Sequence, residues 1–451
     1  MDALQFLPQV GGLFGTIVSF LIVLGVVVFV HEYGHYIVAR WCGIHSEVFS
    51  IGFGREIHGW VDRRGTRWRI AVLPLGGYVK FLGDADAASA RADDAARAAM
   101  SSDQRARSFP DAALWKRTLT VAAGPVFNFV LAILIYAGLA LSLGTPSDRP
   151  VLGEVAADAP EVGMLREGDE FVSVAGRPVE RFSDILRGYE AAAAAQPGRD
   201  SFPVEVRRDG ELLSLETGPV VPPVVGRTAP GGAAERAGLQ SGERIVAVGG
   251  APVASFADLQ REVGANGAAP LTLRIEGLDG AEREVTLEPS VSPAPTPDGG
   301  MELRPLIGVT ALPLIGGEVV TPGPLAALGD GMERTWQVIN GSLTYVYAIV
   351  TGQADSSGLG GPIRIATLSG DAAAGGVASF VSMIALISAS IGLINLFPIP
   401  VLDGGHLMFY AVEAVRRKPV GEKVQEAATA IGLALVILLM VYVTWNDITS
   451  L

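Results

Sequence analysis

The 451-residue chain is 49% hydrophobic and only 18% charged, a balance that argues for a membrane protein with soluble insertions and against a large soluble enzyme. A net charge of −13, with no Lys/Arg block interleaved with aromatics, excludes nucleic acid as a partner. A single cysteine, Cys42, excludes an internal disulfide and any cysteine-rich zinc site, and reads as a small buried thiol.

The first predicted element is an apolar run with no charged residue from Leu13 to Val30. No Lys or Arg precedes Arg40, so the basic start of a secretory signal is missing and the run is expected to remain as a transmembrane helix. At its end stands His31-Glu32-Tyr33-Gly34-His35. Two histidines four residues apart share one helix face, about one turn apart, and can share one metal ion. Glu32 then lies beside that ion, placed to take a proton from an activated water and hand it to a leaving amine. On a soluble helix the same pattern is as readily a solvated face; near membrane depth, ionisable groups are costly enough to mark function.

Four stretches have the length and apolarity of membrane spans, about 13–38, 119–143, 377–397 and 427–445. Basic residues crowd the connections between the first and second spans (Arg40, Arg55, Arg63, Arg64, Arg67, Arg69, Lys80, Lys116, Arg117) and between the third and fourth (Arg416, Arg417, Lys418, Lys423). Both connections are therefore expected on the cytoplasmic side, and the segment 144–376 on the outside.

Within the first connection, Trp68 to Phe81 reads as two short strands around a turn at Gly76-Gly77, with Pro74 restricting its strand to an edge. Such a hairpin, lying in the membrane, offers that edge to an extended peptide; simple packing is the competing role. The Ala/Asp/Arg-rich stretch 84–107 reads as a solvated linker. The outer segment holds an internal repeat: Gly168-Asp169-Glu170-Phe171-Val172-Ser173-Val174 with Pro178-Val179 returns as Gly242-Glu243-Arg244-Ile245-Val246-Ala247-Val248 with Pro252-Val253, at a constant offset of 74 residues. A period of that size means two copies of one small domain. The pattern resembles PDZ domains, which bind peptides by adding a strand to a sheet edge; rigid spacers or steric filters are the alternative. Trp336 to Val350 then reads as an amphipathic helix, either on the outer membrane face or packed on the protein.

A catalytic zinc needs a third protein ligand. The third span ends Asn395-Leu396-Phe397-Pro398-Ile399-Pro400-Val401-Leu402-Asp403-Gly404-Gly405-His406, a broken helix of the kind membranes tolerate where backbone lines a cavity. Asp403 in this break falls at the same cytoplasmic depth as His31, while a helix cap is its structural alternative. His406 is the rival ligand, and His45 and His58 read as loop residues. Two imidazoles and a carboxylate suit zinc, with iron or cobalt compatible.

Taken together, His31-Glu32-x-x-His35, Gly124-Pro125-x-x-Asn128, Asn395-x-x-Pro398-x-Pro400-x-x-Asp403-Gly404 and the two PDZ-like copies resemble the site-2 protease family of intramembrane zinc metalloproteases. The resemblance covers nearly the whole chain, with no departure at the ligand or base positions. It implies a polytopic α-helical membrane protein of four transmembrane helices with two inserted α+β PDZ-like domains. The expected division is a first helix (1–38), a cytoplasmic loop with a membrane-associated hairpin (39–118), a second helix (119–143), PDZ-like domains (149–220 and 221–310), a linker (311–376), a third helix with the Leu-Asp-Gly motif (377–406), a loop (407–426) and a fourth helix (427–451). By the resemblance His31, His35 and Asp403 hold Zn2+, Glu32 is the base, and Asn128 and Asn395 contact substrate, while the edge near Gly76 and Gly77 holds an extended substrate strand. The implied substrate is a single-pass transmembrane protein, typically an anti-sigma factor already trimmed on the outer side. The implied location is the lipid bilayer of the bacterial inner membrane, with the PDZ-like pair periplasmic. A membrane adaptor that binds exported peptides is the alternative of a different class; the presence of Glu32 argues against it, because a structural zinc needs no base. An ion transporter would want polar residues along all spans, and the second and fourth carry almost none.

Overall fold

The computed structural model describes residues 12–84, 99–156, 159, 162–196, 199, 201–229, 232–295, 301–353 and 359–449. Most of the predicted linker 84–107 lies outside them. In chain order the elements begin with helix α1 (Leu13–Trp41), strands β1 (Ser46–Val61) and β2 (Arg67–Phe81), a short helix α2 (Ser102–Ala106) and helix α3 (Leu114–Leu143). Next come β3 (Thr145–Pro146), β4 (Leu152–Val155), β5 (Glu170–Val174), β6 (Arg177–Pro178), α4 (Phe182–Ala195), β7 (Phe202–Arg208) and β8 (Glu211–Thr217). They are followed by β9 (Val225–Thr228), α5 (Ala233–Arg236), β10 (Arg244–Val248), β11 (Ala251–Pro252), α6 (Phe256–Asn266), β12 (Leu271–Glu276) and β13 (Glu282–Leu287). Five short strands succeed them: β14 (Ser290–Pro295), β15 (Met301–Leu306), β16 (Val309–Ala311), β17 (Ile315–Gly317) and β18 (Val319–Val320). Helices α7 (Pro324–Val350), α8 (Pro362–Ala374), α9 (Val377–Asn395), α10 (Asp403–Arg416) and α11 (Glu422–Thr449) complete the chain.

The chain divides into two compact units, one made of Met1–Ala140, Gly323–Ser342 and Leu359–Ser450, the other mainly of Leu141–Pro322. In the first, α1, α3, α9 and α11 are long and apolar enough to cross a membrane. Lipid tails are as apolar as leucine, so such helices are held by close packing rather than by escape from water. Small residues make that possible here. A Cβ on Gly34 of α1 would stand 2.6 Å from the Ala123 carbonyl oxygen of α3. Val23 and Val27 pack on Phe380 and Ile384 of α9, Ala132 of α3 meets Ala385 and Ala389, and the Ser388 hydroxyl donates to the Asn128 carbonyl at 2.8 Å. The fourth candidate span, α11, is mostly exposed within this unit.

The expected reversal near Gly76-Gly77 is built into a longer ribbon: Arg67–Ile70 and Gly77–Lys80 flank Val48–Ile51 on its two sides in opposite directions, so β2 doubles back between Ile70 and Gly77. β1 and β2 also pair along their length, from Val61↔Arg67 to Ser46↔Phe81. Their connection is a tighter reversal at Asp62–Thr66, where the Asp62 carboxylate accepts from the backbone N–H of Arg64 (2.8 Å) and Thr66 (3.0 Å) and Gly65 takes a φ of 85°. Around Pro74 and the glycines the pairing jumps from Phe53↔Leu73 to Ile51↔Gly77. The same Asp62 carboxylate receives Tyr36 Oη of α1 and Trp68 Nε1, both at 3.1 Å, and so pins the ribbon tip to α1. Beneath it, Phe49, Val79 and Phe81 share a core with Tyr36, Ala39 and Val121, and Cys42 is buried there. His58, expected in a loop, belongs to β1.

The second unit carries the repeat as two antiparallel sheets of equal order, β6-β5-β7-β8 and β11-β10-β12-β13, each with a helix, α4 or α6, on its core. The repeated acid is used twice in the same way. Asp169, fully buried, takes the Arg208 guanidinium at 2.7 and 2.8 Å, and Glu243 takes that of Arg283. The chain then returns along both copies: β16 pairs with β9, β17 with β4, and β18 with β3. The predicted amphipathic helix at 336–350 is the second half of the longer α7, and a further helix, α8, begins with Pro362 in its first turn.

Candidate metal centre

α1 continues past the membrane run to Trp41, so His31 and His35 stand on a continuous helix with their rings 4.8 Å apart. Asp403 arrives from far along the chain. α9 stops at Asn395, the prolines at 398 and 400 prevent its continuation, and α10 starts at Asp403 itself. In this break Val401 takes a φ of 150°, a conformation that β-branched residues rarely adopt.

The three side chains converge. His31 Nε2 lies 3.1 Å and His35 Nε2 3.5 Å from Asp403 Oδ2, and the two Nε2 atoms are 3.2 Å apart. Ligands around a tetrahedral ion with bonds of about 2.0–2.1 Å stand about 3.3 Å from one another. The triangle therefore has the size a zinc ion requires. Its chemistry fits as well: Asp403 Oδ2 is buried without a hydrogen-bond partner, the state of a ligand atom rather than of a helix cap. Among the described residues this is the group of histidines and acids that could hold a metal ion.

The outer ring nitrogens are oriented by α3. His35 Nδ1 lies 2.9 Å from the Thr120 carbonyl, to which it donates, leaving Nε2 with its lone pair toward Asp403. His31 Nδ1 lies 3.2 Å from the Asn128 amide. Between these partners Gly124 lets the rings approach: a Cβ there would stand 2.4 Å from His35 Nε2 and 2.8 Å from His31 Cε1. Thr120, Gly124 and Asn128 follow at four-residue spacing, one stripe of α3. Small and polar residues at that spacing within an apolar span are the sequence signal that identifies the stripe.

A cavity of about 320 Å3 opens on the triangle, lined by His31, Glu32, His35 and Asp403 and walled by Phe53, Gly77, Tyr78, Val79, Phe81, Phe109, Val121, Asn395, His406 and Tyr410 among others. Glu32 thus shares the cavity with the convergent ligands. Gly77 is there because nothing larger fits: a Cβ would stand 2.8 Å from Glu32 Cγ and 2.8 Å from the Ser50 carbonyl oxygen. Gly76 is turned to Phe53 instead, with φ 149°, and does not line the cavity. Asn395 lines it while its Nδ2 donates to the Ile391 carbonyl at 3.0 Å. Asn128, expected to contact substrate, is fully buried against His31 and away from the cavity. His406 lines the cavity but stands outside the metal-sized cluster.

Comparison with known proteins identifies the family. Residues 19–439 match peptidase family M50. The chain is 38% identical over 442 residues to a provisionally named zinc metalloprotease of Agrobacterium fabrum, covering 98% of this chain and 97% of that one. A protein with the same style of name from Rhizobium meliloti is 39% identical over 437 residues, 97% of each chain. Regulator of sigma-E protease RseP of Escherichia coli is 35% identical over 459 residues, covering 96% of this chain and 98% of that one. A match of this length and identity, on a chain with a zinc-sized cluster of two histidines and an aspartate among apolar helices, places it in peptidase family M50, the site-2 protease family, as an intramembrane zinc metalloprotease.

Proposed function

We propose that His31, His35 and Asp403 are the zinc ligands, that Glu32 is the general base, and that the substrate is the transmembrane segment of a single-pass membrane protein. The observation that carries this is the 3.1–3.5 Å triangle sharing one cavity with Glu32. Zinc held by these groups would supply a Lewis acid for the scissile carbonyl and lower the pKa of a water molecule. Glu32 takes a proton from the water whose oxygen bonds to the carbonyl carbon and delivers it to the amide nitrogen as the C–N bond breaks, so one carboxylate serves both halves of the reaction. His31 and His35, their outer nitrogens occupied by α3, keep both rings fixed through the cycle. Asn128 is accordingly a positioning residue for His31 rather than a substrate contact.

A peptide bond within a helix is shielded by neighbouring turns and its carbonyl is hydrogen-bonded, so the substrate is attacked in extended form. Residues 77–80 of β2 pair with β1 on one side, and Gly77, Tyr78 and Val79 border the cavity on the other. That border is the edge on which an unwound substrate adds as a strand, with Asn395 as a second contact. Exposed Ile57, Trp60, Val61, Val72 and Leu73 give the ribbon an apolar surface suited to the bilayer. The basic connections between spans support a cytoplasmic active site and an outer, periplasmic placement of the second unit in a bacterial inner membrane. Its two repeated sheet-and-helix copies are read as PDZ-like domains over 149–220 and 221–310, acting as a filter that admits substrates with short outer tails. An anti-sigma factor trimmed beforehand has that form, and the E. coli relative's name, regulator of sigma-E protease, is in keeping with it. The test is mass spectrometry of products from two single-pass substrates differing only in outer tail. Cleavage inside the membrane segment of the short-tailed one alone supports the proposal; cuts confined to soluble tails, or equal cutting of both, contradict it.

A further inference from the structure

We infer that the Arg117–Glu413 ion pair is a positioning device that holds Asp403 at the distance the metal centre requires. This rests on the assignment of His31, His35 and Asp403 as ligands. Arg117, one turn before Thr120 on α3, meets Glu413 of α10 through both guanidinium nitrogens, Nη2 to Oε1 at 2.7 Å and Nη1 to Oε2 at 3.3 Å. Its Nε donates to the Ala112 carbonyl at 3.2 Å, and its guanidinium lies over the Tyr410 ring at 5.1 Å, so the fork is fixed on three sides. Both partners are largely shielded, with side chains 17% and 18% exposed.

The placement gives the pair its role. α3 already orients the imidazoles, through Thr120 for His35 and Asn128 for His31. The third ligand lies on a different element: Asp403 is the first residue of α10, preceded by an irregular segment containing Val401 in a strained conformation. Leu407 and Tyr410 pack α10 on the core of Tyr36, Phe49 and Val121, and apolar packing resists sliding and tilting less than a directional bond does. Glu413 lies ten residues on, about 15 Å along the axis. Clamping that point to α3 ties the far part of α10 to the helix that orients the histidines, and fixes the spacing of all three ligands on one scaffold. A bidentate fork suits this use because it resists both rotation and translation.

The test uses the full chain in detergent, loaded with zinc, and follows metal release to an excess of chelator. Arg117→Met and Glu413→Gln are expected to release zinc about tenfold faster, in the range found when partners of metal ligands are removed. The reversed pair Arg117→Glu/Glu413→Arg should recover most of the loss. The metal-free forms should melt together with metal-free wild type, which separates positioning from a general structural role. Unchanged release in both single variants, a fall in metal-free stability that accounts for the faster release, or a reversed pair as leaky as the single ones would each overturn the inference. His31→Ala serves as the control for the site itself: if that variant still binds zinc, the ligand assignment fails independently of the ion pair.

Discussion

The second nitrogens of the two histidines account for how firmly the first ones are aimed. A zinc ligand through Nε2 keeps its proton on Nδ1, and that proton needs an acceptor. For His35 the Thr120 carbonyl provides it. For His31 the neighbour is the Asn128 amide, whose Oδ1 is buried without a partner. A half-turn of the amide brings Oδ1 onto Nδ1–H and satisfies both groups. Asn128→Leu, of similar size and without an acceptor, should therefore weaken zinc binding 10- to 100-fold in chelator competition while the helices remain folded. Gly77→Ala acts at the proposed base, Glu32, instead. Its Cβ would collide with Glu32 Cγ, so zinc content should hold while kcat falls by about 10- to 100-fold, as for a base displaced by about 1 Å. At this scale the sequence marks the candidate groups by residue type and spacing, and the structure brings His31, His35 and Asp403 to one point with Glu32 in the same cavity. That Asn128 lies against His31 is not visible in the sequence, since which helix face meets which partner is decided by packing.

Among the elements, the β1–β2 ribbon is more folded than its sequence-based expectation. The chain doubles back between Ile70 and Gly77 as the Gly-Gly composition suggests, but it turns again at Asp62–Thr66, where a carboxylate collects two backbone amides, and Gly77 also serves a close approach to Glu32. Composition marks where backbone can bend; it does not show what a bend brings into contact. The Asp62 anchor predicts a pH dependence. Burial pushes its carboxyl up, but hydrogen bonds from Trp68, Thr66, Arg64 and Tyr36 outweigh this and hold it below the ordinary 3.8. A carboxyl lowered on folding contributes stability that is complete above its unfolded pKa and is lost as pH falls through the lower folded value. Protection of the Arg64 and Thr66 amides from hydrogen exchange should accordingly be constant, after correction for intrinsic rates, from neutral pH down to about pH 5, and should fall only in stronger acid. Asp62→Asn should lower it at neutral pH. Equal protection in the variant would remove Asp62 as the anchor.

For the whole molecule, a membrane unit with a metal centre and a second unit of two β-rich copies were both foreseeable, the first from apolar runs and basic connections, the second from the 74-residue offset. The return of β16, β17 and β18 onto β9, β4 and β3 was not, because strands of two or three residues are too short to show a period. The ion pairs of the two copies predict unequal vulnerability: Arg208→Met leaves the fully buried Asp169 carboxylate uncompensated and should destabilise its copy by about 3–5 kcal/mol, whereas Arg283 is 41% exposed and Arg283→Met should cost its copy less, both measured by denaturant unfolding of the full chain. The central claim is that the triangle and Glu32 hydrolyse a peptide bond inside the membrane. Its most direct measurement is cleavage of a single-pass substrate with a short outer tail in liposomes, by wild type, by Glu32→Gln, and by wild-type enzyme stripped of metal and then resupplied with zinc. Cutting by wild type that is absent from a zinc-loaded Glu32→Gln variant, disappears on stripping and returns with zinc is the predicted result. Cutting that persists in Glu32→Gln, or after removal of the metal, would contradict it.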